Sequence, residues 1–233
     1  MAKKKVLVRD YKFSDGVLKQ KADDVAGSVQ RDLTSFSTRG VTAPTVTGLQ
    51  TLITTFDGTQ TDEELEGALS VATEAKNLLA DSLKSAIAVV RTMAENKFGI
   101  ETALYRSFAF DGMSDLSDEQ LYRLGKRVIR VATAQLAQLA SEGLTAAVIT
   151  NLTTITTNFD TAIDVQQDAV KNRDIKTQDR VEKGNAVYKE ITRLCNTGKS
   201  LFVTTDEAKY NDYVIYNTPS GNNETPPVPP VTP

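Results

Sequence analysis

Apolar and small residues recur at alternating four- and three-residue steps through residues 61–96. The positions that carry this stripe are Leu65, Leu69, Ala72, Leu79, Leu83, Ala86, Val90 and Met93, and Lys76 is the one interruption. Such spacing keeps one face of a helix turned toward a partner through roughly ten turns, or about 54 Å at ~1.5 Å per residue. The pattern therefore predicts a long helix that packs against other helices.

Two shorter helical patterns precede this long helix. The first begins at Asp15, has an apolar face and ends at Gly40, where glycine can adopt the left-handed conformation that closes a helix. The second covers residues 43–56 and is rich in threonine, which by propensity favours a strand. Its apolar residues nevertheless fall at helical steps of three, four and three, at Val46, Leu49, Ile53 and Phe56. We therefore predict a helix there as well.

The chain repeats itself at a constant offset of 103 positions. Residues 39–58 align without gaps on residues 142–161. The matched pairs are Gly40 and Gly143, Thr42 and Thr145, Ala43 and Ala146, Leu49 and Leu152, Phe56 and Phe159, and Asp57 and Asp160. This register predicts a duplicated unit, in which each copy contains a helix, a glycine turn, a threonine-rich helix and a long helix.

These patterns together predict an all-α fold, an elongated helical bundle built from two homologous helical repeats with short extended N- and C-terminal arms. The predicted segments are an N-terminal arm (1–14), repeat 1 (15–99), a connector (100–116), repeat 2 (117–198), an extended C-terminal segment (199–216) and a proline-rich tail (217–233). The second long helix, predicted over residues 162–196, has a polar middle. Two explanations stay open for it: contact with solvent, or a hydrated contact with another subunit.

Both ends of the helical body are short, apolar and predicted to be extended. Residues 6–13 and 210–216 either pair with each other or dock onto neighbouring copies, since an unpaired strand is a template for another chain. The tail has the composition of a polyproline linker or docking peptide. The candidate assembly residues are Val6, Val8, Tyr11, Phe13, Tyr213, Val214, Ile215, Tyr216, Pro226, Pro227, Pro229 and Pro230.

The composition argues against most catalytic chemistry. The chain has no histidine, which removes Ser-His and Cys-His nucleophile pairs and the usual zinc sites. Its one cysteine, Cys195, rules out an intramolecular disulfide and is expected to be a buried apolar residue. We expect no enzymatic activity, no cofactor and no metal site.

The charge and hydropathy of the chain limit the kinds of partner that we expect. The net charge of −3 argues against a nucleic-acid partner, although one basic cluster exists at Arg123, Lys126, Arg127 and Arg130, which we interpret as a solvated helix face. There is no signal-peptide core after the basic start and no run of about 20 apolar residues. We expect no membrane insertion and a cytoplasmic location by default, with surface assembly through an unrecognised export route as the alternative.

Short motifs add little to this picture. Residues 195–200 are similar to the end of a phosphate-binding loop, but Arg193 stands where that pattern requires glycine. We therefore predict that Gly198 closes the second long helix. Asp111, Asp115 and Asp118 lack the spacing of a calcium loop. Asn151 and Asn223 match the glycan acceptor pattern without further support.

Five strings carry a resemblance to a known family. They are RGVTA from residue 39, RTMAENKFG from residue 91, YRLGKRVIRVAT from residue 122, EGLTAA from residue 142 and DEAKYNDYVIY from residue 206. Together they resemble an uncharacterised family of bacterial helical-repeat proteins, some of which continue into fibronectin-like modules. The resemblance implies a helical-repeat fold, but it supplies no activity and no site residues.

From the sequence we expect a structural protein that self-assembles into a filament or tube through its helical body and terminal arms. Its main partner is then another copy of itself, since heterologous contacts between copies propagate unless they close a ring. The alternative is a monomeric helical interaction module that presents the proline-rich tail to a partner protein or surface.

Overall fold

The computed structural model of the protein describes residues 7–216, apart from the side chain of Ser114. Over these residues the chain is helical and contains no strand, which confirms the all-α prediction. The α-helices are α1 (Asp15–Arg31), α2 (Leu33–Ser37), α3 (Ala43–Asp57), α4 (Asp62–Phe98), α5 (Ala103–Arg106), α6 (Asp118–Ala134), α7 (Leu136–Leu139), α8 (Ala146–Phe202) and α9 (Glu207–Asp212). Short 3-10 turns lie at Met113–Asp115 and Ala140–Glu142.

The described chain folds as two compact units. The central unit comprises Gln60–Thr177, and the terminal unit comprises the residues up to Thr59 together with those from Gln178 onward. Helix α8 supplies residues 146–177 to the central unit and residues 178–202 to the terminal unit. Packing therefore divides the chain at different points from the sequence blocks 15–99 and 117–198.

In the central unit, α4 packs beside α6. From Leu79 to Met93 the predicted apolar stripe of α4 lies on its inner face, where it shares a core with α6, α7 and the first part of α8. The fully buried residues of this seam include Leu83, Ile87 and Val90 on α4 and Leu121 and Val128 on α6. Lys76, the one interruption of the stripe, forms an ion pair with Asp118, the first residue of α6.

In the terminal unit, α1 and α3 form a hairpin that packs against the last part of α8. Val187, Ile191 and Leu194 of α8 are fully buried in the same core as Leu18 and Val29 of α1. Arg180 is also almost fully buried, and its Nε lies 3.1 Å from a carboxylate oxygen of Asp15, the first residue of α1. In each unit, a cation on a long helix thus pairs with an aspartate that is the first residue of a neighbouring helix: Lys76 of α4 with Asp118 of α6, and Arg180 of α8 with Asp15 of α1.

The threonine-rich segments are helical, and their hydroxyls bond to carbonyls of their own helix. Thr51 donates to the carbonyl of Thr47, Thr55 donates to that of Thr51, and the same pattern recurs in α8 at Thr154 and Thr157. These bonds satisfy the hydroxyl without competing for a neighbouring strand. The helical spacing of the apolar residues therefore predicted these segments correctly, whereas the strand propensity of threonine did not.

Two helix boundaries of the second repeat differ from the prediction. Helix α3 ends at Asp57, before Gly58, but the corresponding residues Asp160 and Thr161 lie inside α8, which continues without a break. The predicted end at Gly198 is also wrong, because α8 runs on to Phe202. At the first glycine turn the prediction is confirmed, since Gly40 has φ +77°.

Both buried glycines of α8 face a tyrosine from an end of the chain. A Cβ at Gly198 would lie 2.4 Å from Cγ of Tyr213, and a Cβ at Gly184 would lie 2.4 Å from the hydroxyl oxygen of Tyr11. Glycine is therefore needed there for close approach of a ring and not for closing the helix.

The predicted extended segments are corrected at both ends. Residues 7–14 have no regular structure. Of the segment 199–216, the first residues belong to α8, and residues from Glu207 to Asp212 form α9, whose first turn is capped by the side chain of Asp206. Residues 1–6 of the N-terminal arm and the whole tail, residues 217–233, lie outside the described residues.

We predict that Gly198→Ala destabilises the protein, because the added methyl group displaces the ring of Tyr213. The expected loss in unfolding free energy is about 1–3 kcal/mol. Gly67→Ala in α4 is the matched control, since nothing lies within 4 Å of a Cβ there, and it should raise stability by about 0.5–1 kcal/mol. Urea denaturation measures both values. Equal effects of the two substitutions would contradict the close approach.

Candidate interaction surfaces

The predicted assembly residues of the arms are divided between core and surface of the terminal unit. Tyr11 and Tyr213 are buried, and Phe13, Val214 and Ile215 are half-buried. Val8 and Tyr216 are exposed, by 67% and 46%. Val6, Pro226, Pro227, Pro229 and Pro230 lie outside the described residues.

The N-terminal segment is held by the side chain of Asn185 in α8. The Asn185 amide donates to the carbonyl of Val8 at 2.8 Å and accepts from the backbone N–H of Asp10 at 2.9 Å. These two bonds satisfy the backbone groups that a strand would offer to a neighbouring chain. The segment is thus bound within its own unit.

Tyr11 closes a charged network at the start of α1. Its hydroxyl donates to Asp15 at 2.7 Å, and Asp15 also contacts Arg9 and the buried Arg180. Burial and the hydrogen bond to Asp15 both raise the pKa of Tyr11 above its ordinary value. Tyr11 therefore stays a neutral donor that holds Asp15 in place.

The two ends of the described chain meet through aromatic side chains. The rings of Phe13 and Tyr216 are 5.6 Å apart, and the hydroxyls of Tyr188 and Tyr216 are 3.1 Å apart. Lys21 donates to the carbonyl of Ile215 at 2.7 Å. The ends therefore contact each other, as one alternative expected, but through side chains and not through a strand ladder.

Asp32, between α1 and α2, is a buried carboxylate that anchors the C-terminal segment. It accepts from the hydroxyl of Tyr213 at 2.9 Å and forms ion pairs with Lys209 at 2.8 Å and Arg31 at 2.6 Å. Burial alone raises the pKa of Asp32, but the hydrogen bonds from Arg31, Lys209 and Tyr213 outweigh it and lower the pKa to about 2. The burial of Tyr213 and its hydrogen bond to Asp32 raise the pKa of the Tyr213 hydroxyl above its ordinary value.

A second stripe runs along the outer face of α4 and was missed by the sequence analysis. This α4 outer stripe consists of exposed, uncharged residues at steps of four and three: Val71, Ala75, Leu78, Ser82, Ser85 and Val89. Its three large apolar side chains are 68%, 69% and 50% exposed, in chain order. The sequence does contain this second stripe, because its residues also follow each other at steps of four and three, at positions that lie between those of the buried stripe.

Helix α8 carries charged residues at four of the six positions that correspond to the α4 outer stripe, and the other two counterparts are Ile175 and Ala186. Counting 104 residues onward, the counterparts of Ala75, Leu78, Ser85 and Val89 are Asp179, Glu182, Lys189 and Arg193. A long helix of this protein therefore tolerates charges on that face. The absence of charges from the stripe on α4 is a property of α4 alone.

The basic cluster lies on the outer face of α6. This α6 basic face consists of Arg123, Lys126, Arg127 and Arg130, all of which are exposed, as expected for a solvated face. Within the described residues none of the four has a salt-bridge partner. The α1 residues 103 positions earlier are Gln20, Asp23, Asp24 and Gly27. At two of the four positions, α1 thus carries an acid where α6 carries a base, and at the other two α1 is uncharged.

The structure brings no catalytic arrangement together among residues 7–216. Gly198 and its neighbours, which are similar to a phosphate loop, lie within α8. Burial raises the pKa of the Cys195 thiol to about 12. No group of three or more Cys, Asp or Glu side chains is placed to hold a metal ion in the part of the chain that is described.

One groove of about 360 Å³ lies between α4 and α8 in the central unit. Its lining residues are Ala72, Ala75, Leu79, Asn158, Thr161, Ala162 and Val165. None of these side chains is titratable, so the groove offers no acid, base or nucleophile beyond a single hydroxyl. Over the described range, no helix has the length and apolar character needed to cross a membrane.

Comparisons with protein-family models, with curated proteins and with solved structures give no match to this chain.

We predict that Asp32→Asn lowers the unfolding free energy by about 2 kcal/mol near neutral pH. The pKa of Asp32 is lowered on folding, so its contribution is complete above the unfolded pKa of about 3.9 and disappears as the pH falls through about 2. The difference between wild type and variant should therefore shrink below about pH 4. Urea denaturation across this pH range measures it.

Asp164→Asn is the control for this prediction, since Asp164 is exposed on α8. It should leave stability nearly unchanged at every pH. A constant difference between wild type and Asp32→Asn down to pH 2 would contradict the proposed role of the charge.

Proposed function

We propose that the protein is a non-enzymatic structural protein, built from two homologous helical repeats, that self-associates through its helical body. The absence of histidine, the inert thiol of Cys195 and the uncharged groove support a role without catalysis. The single observation that carries self-association is the α4 outer stripe, an uncharged apolar surface on a long exposed helix face.

The proposal of two repeats is supported by the helix boundaries. Helices α1 and α6 both have 17 residues, and they begin 103 positions apart, at Asp15 and Asp118. Each is capped by a serine side chain, at Ser14 and Ser117, again 103 positions apart. Independent origins would not be expected to reproduce length, start and cap together.

Two ion pairs of the long helices support the same proposal. Lys76 pairs with Asp118 in the central unit, and Arg180, 104 positions after Lys76, pairs with Asp15 in the terminal unit. In both units the long helix of one proposed repeat packs on the hairpin of the other. We infer that the two repeats have exchanged their long helices, in the manner of an intramolecular domain swap.

Self-association is assigned to the body because the aromatic residues of the arms are already occupied. Tyr11 and Tyr213 are buried in the terminal unit and hydrogen-bonded there. The α4 outer stripe, in contrast, keeps Val71, Leu78 and Val89 in water. Covering side chains of this kind stabilises a contact by roughly 1 kcal/mol each when half to two thirds of the side chain is exposed beforehand.

The stripe fits a second copy of α4 packed antiparallel. In that register Val71 lies opposite Val89 of the second copy, and Leu78 lies opposite Ser82, so a large side chain meets a small one. The acidic Glu74, which flanks the stripe, is then level with Ala86 of the second copy. The two copies would use the same surface, as an isologous contact requires.

We predict that Leu78→Glu weakens self-association, because it places a charge in the centre of this contact. The association constant should fall at least about ten-fold, as measured by light scattering after size-exclusion chromatography. Ile175→Glu on α8 is the matched control, because Ile175 is 64% exposed and corresponds to Val71 of the stripe.

Two results would oppose the proposal. A wild-type chain that stays monomeric at high concentration would favour the alternative, a monomeric module that presents residues 217–233 to a partner. Equal loss of association in both variants would remove the α4 outer stripe from the contact.

A further inference from the structure

We infer that a second contact joins copies head to tail, with the α6 basic face of one copy bound to the acidic face of α1 on the next. This inference rests on the proposed self-association and names a further surface for it. The partner that binds the α6 basic face is thus a second copy of this chain, recognised through the acidic residues of its α1 helix.

The basic face has the features of a surface that receives an anionic partner. Four cations, Arg123, Lys126, Arg127 and Arg130, lie within eight residues, a length of about 10 Å along the helix. Their side chains are exposed, and within the described residues no salt bridge neutralises them. Glu119, one turn before Arg123 on α6, interacts electrostatically with Arg123, and Asp160 of α8 hydrogen-bonds to Tyr122.

The complementary face on α1 is acidic at the corresponding positions. Asp23 and Asp24 are exposed, and Asp57 of α3 lies close enough to Lys19 to contribute to the raised pKa of that lysine, after the larger effect of Asp23. Lys19 forms an ion pair with Asp23 at 2.9 Å. Counting Lys19 with Asp23, Asp24 and Asp57, this face carries two negative charges in excess.

The positions of the acids fit a crossing of the two helices at their midpoints. Asp23 is the ninth residue of α1, and Lys126 is the ninth of the 17 residues of α6. Because both are central, a crossing at the helix midpoints brings Asp23 and Asp24 to Lys126 and Arg127. Arg123 and Arg130 lie one turn away on either side, so the two acids are surrounded by positive charge.

Such a contact joins different surfaces, so every copy keeps one free face of each kind. Association can then continue from copy to copy unless the rotation closes a ring. Exposed ion pairs are screened by salt, so the contact should be stronger at low ionic strength. The α4 outer stripe, which is uncharged, should respond much less to salt.

Two charge-reversed variants of the full chain test the contact. Asp23→Arg with Asp24→Arg gives a chain in which the centres of both faces are basic, and Lys126→Glu with Arg127→Glu gives a chain in which the centres of both faces are acidic. At about 50 mM salt each variant alone should lose assembly beyond the α4-mediated dimer, with an association constant reduced at least about ten-fold. Mixing the two at equal concentration should restore larger assemblies, because each basic face then meets an acidic one.

Lys176→Glu with Lys189→Glu is the control, since it changes the net charge by the same amount as the acidic variant at exposed positions on α8. It should assemble like the wild type. Circular dichroism and thermal unfolding check that every variant keeps its helices. Analytical ultracentrifugation measures the assemblies.

The outcomes separate the two proposals. A monomeric wild type overturns both self-association and the charged contact. A wild type that assembles while the reversed variants assemble equally well overturns the charged contact alone. Loss of assembly in both variants without rescue on mixing also overturns it, since the basic face then serves a different anionic partner.

Discussion

One cation on each long helix pairs with the first residue of a neighbouring helix. Lys76 interrupts the apolar stripe of α4 and pairs with Asp118 of α6, and Arg180 ends the polar middle of α8 and pairs with Asp15 of α1. A buried cation without a partner costs several kcal/mol, so a shift of the helix by one turn would be strongly unfavourable. The seam supplies most of the stability, and the ion pair selects the position.

The ends of the chain complete the terminal unit in a similar way. Tyr11 and Tyr213 place their rings against glycines of α8, and their hydroxyls donate to Asp15 and Asp32. The burial of each ring and the hydrogen bonding of a carboxylate are thereby coupled. Losing Tyr11 would remove one donor from Asp15, and losing Tyr213 would remove one donor from Asp32. This coupling explains why the arms are bound to their own chain and are not open strands.

Much of the helical pattern was readable from the sequence. The glycine turn at Gly40 and the apolar stripe of α4 from Leu79 to Met93 follow from local rules and are confirmed. Gly198 misled the prediction, because glycine near a helix end serves equally for a left-handed cap and for close approach of a ring. Only the position of Tyr213 in space distinguishes the two.

The candidate surfaces were less predictable. The α4 outer stripe uses alanine and serine between its large residues, so it is hidden beside the stronger inner stripe. The choice of which hairpin packs on which long helix depends on tertiary contacts between residues such as Lys76 and Asp118, which are far apart along the chain. The charge contrast between α1 and α6 is visible in the sequence only after the two helices are compared position by position.

The central claim is that α4 completes its core with α6 and the first part of α8, not with the hairpin that precedes it. Separate expression of residues 60–177 and residues 15–99, followed by urea denaturation monitored by circular dichroism, tests this claim most directly. The account predicts a cooperative transition for residues 60–177 and a gradual one, without a folded baseline, for residues 15–99. Cooperative unfolding of residues 15–99, with residues 60–177 unfolded, would contradict it.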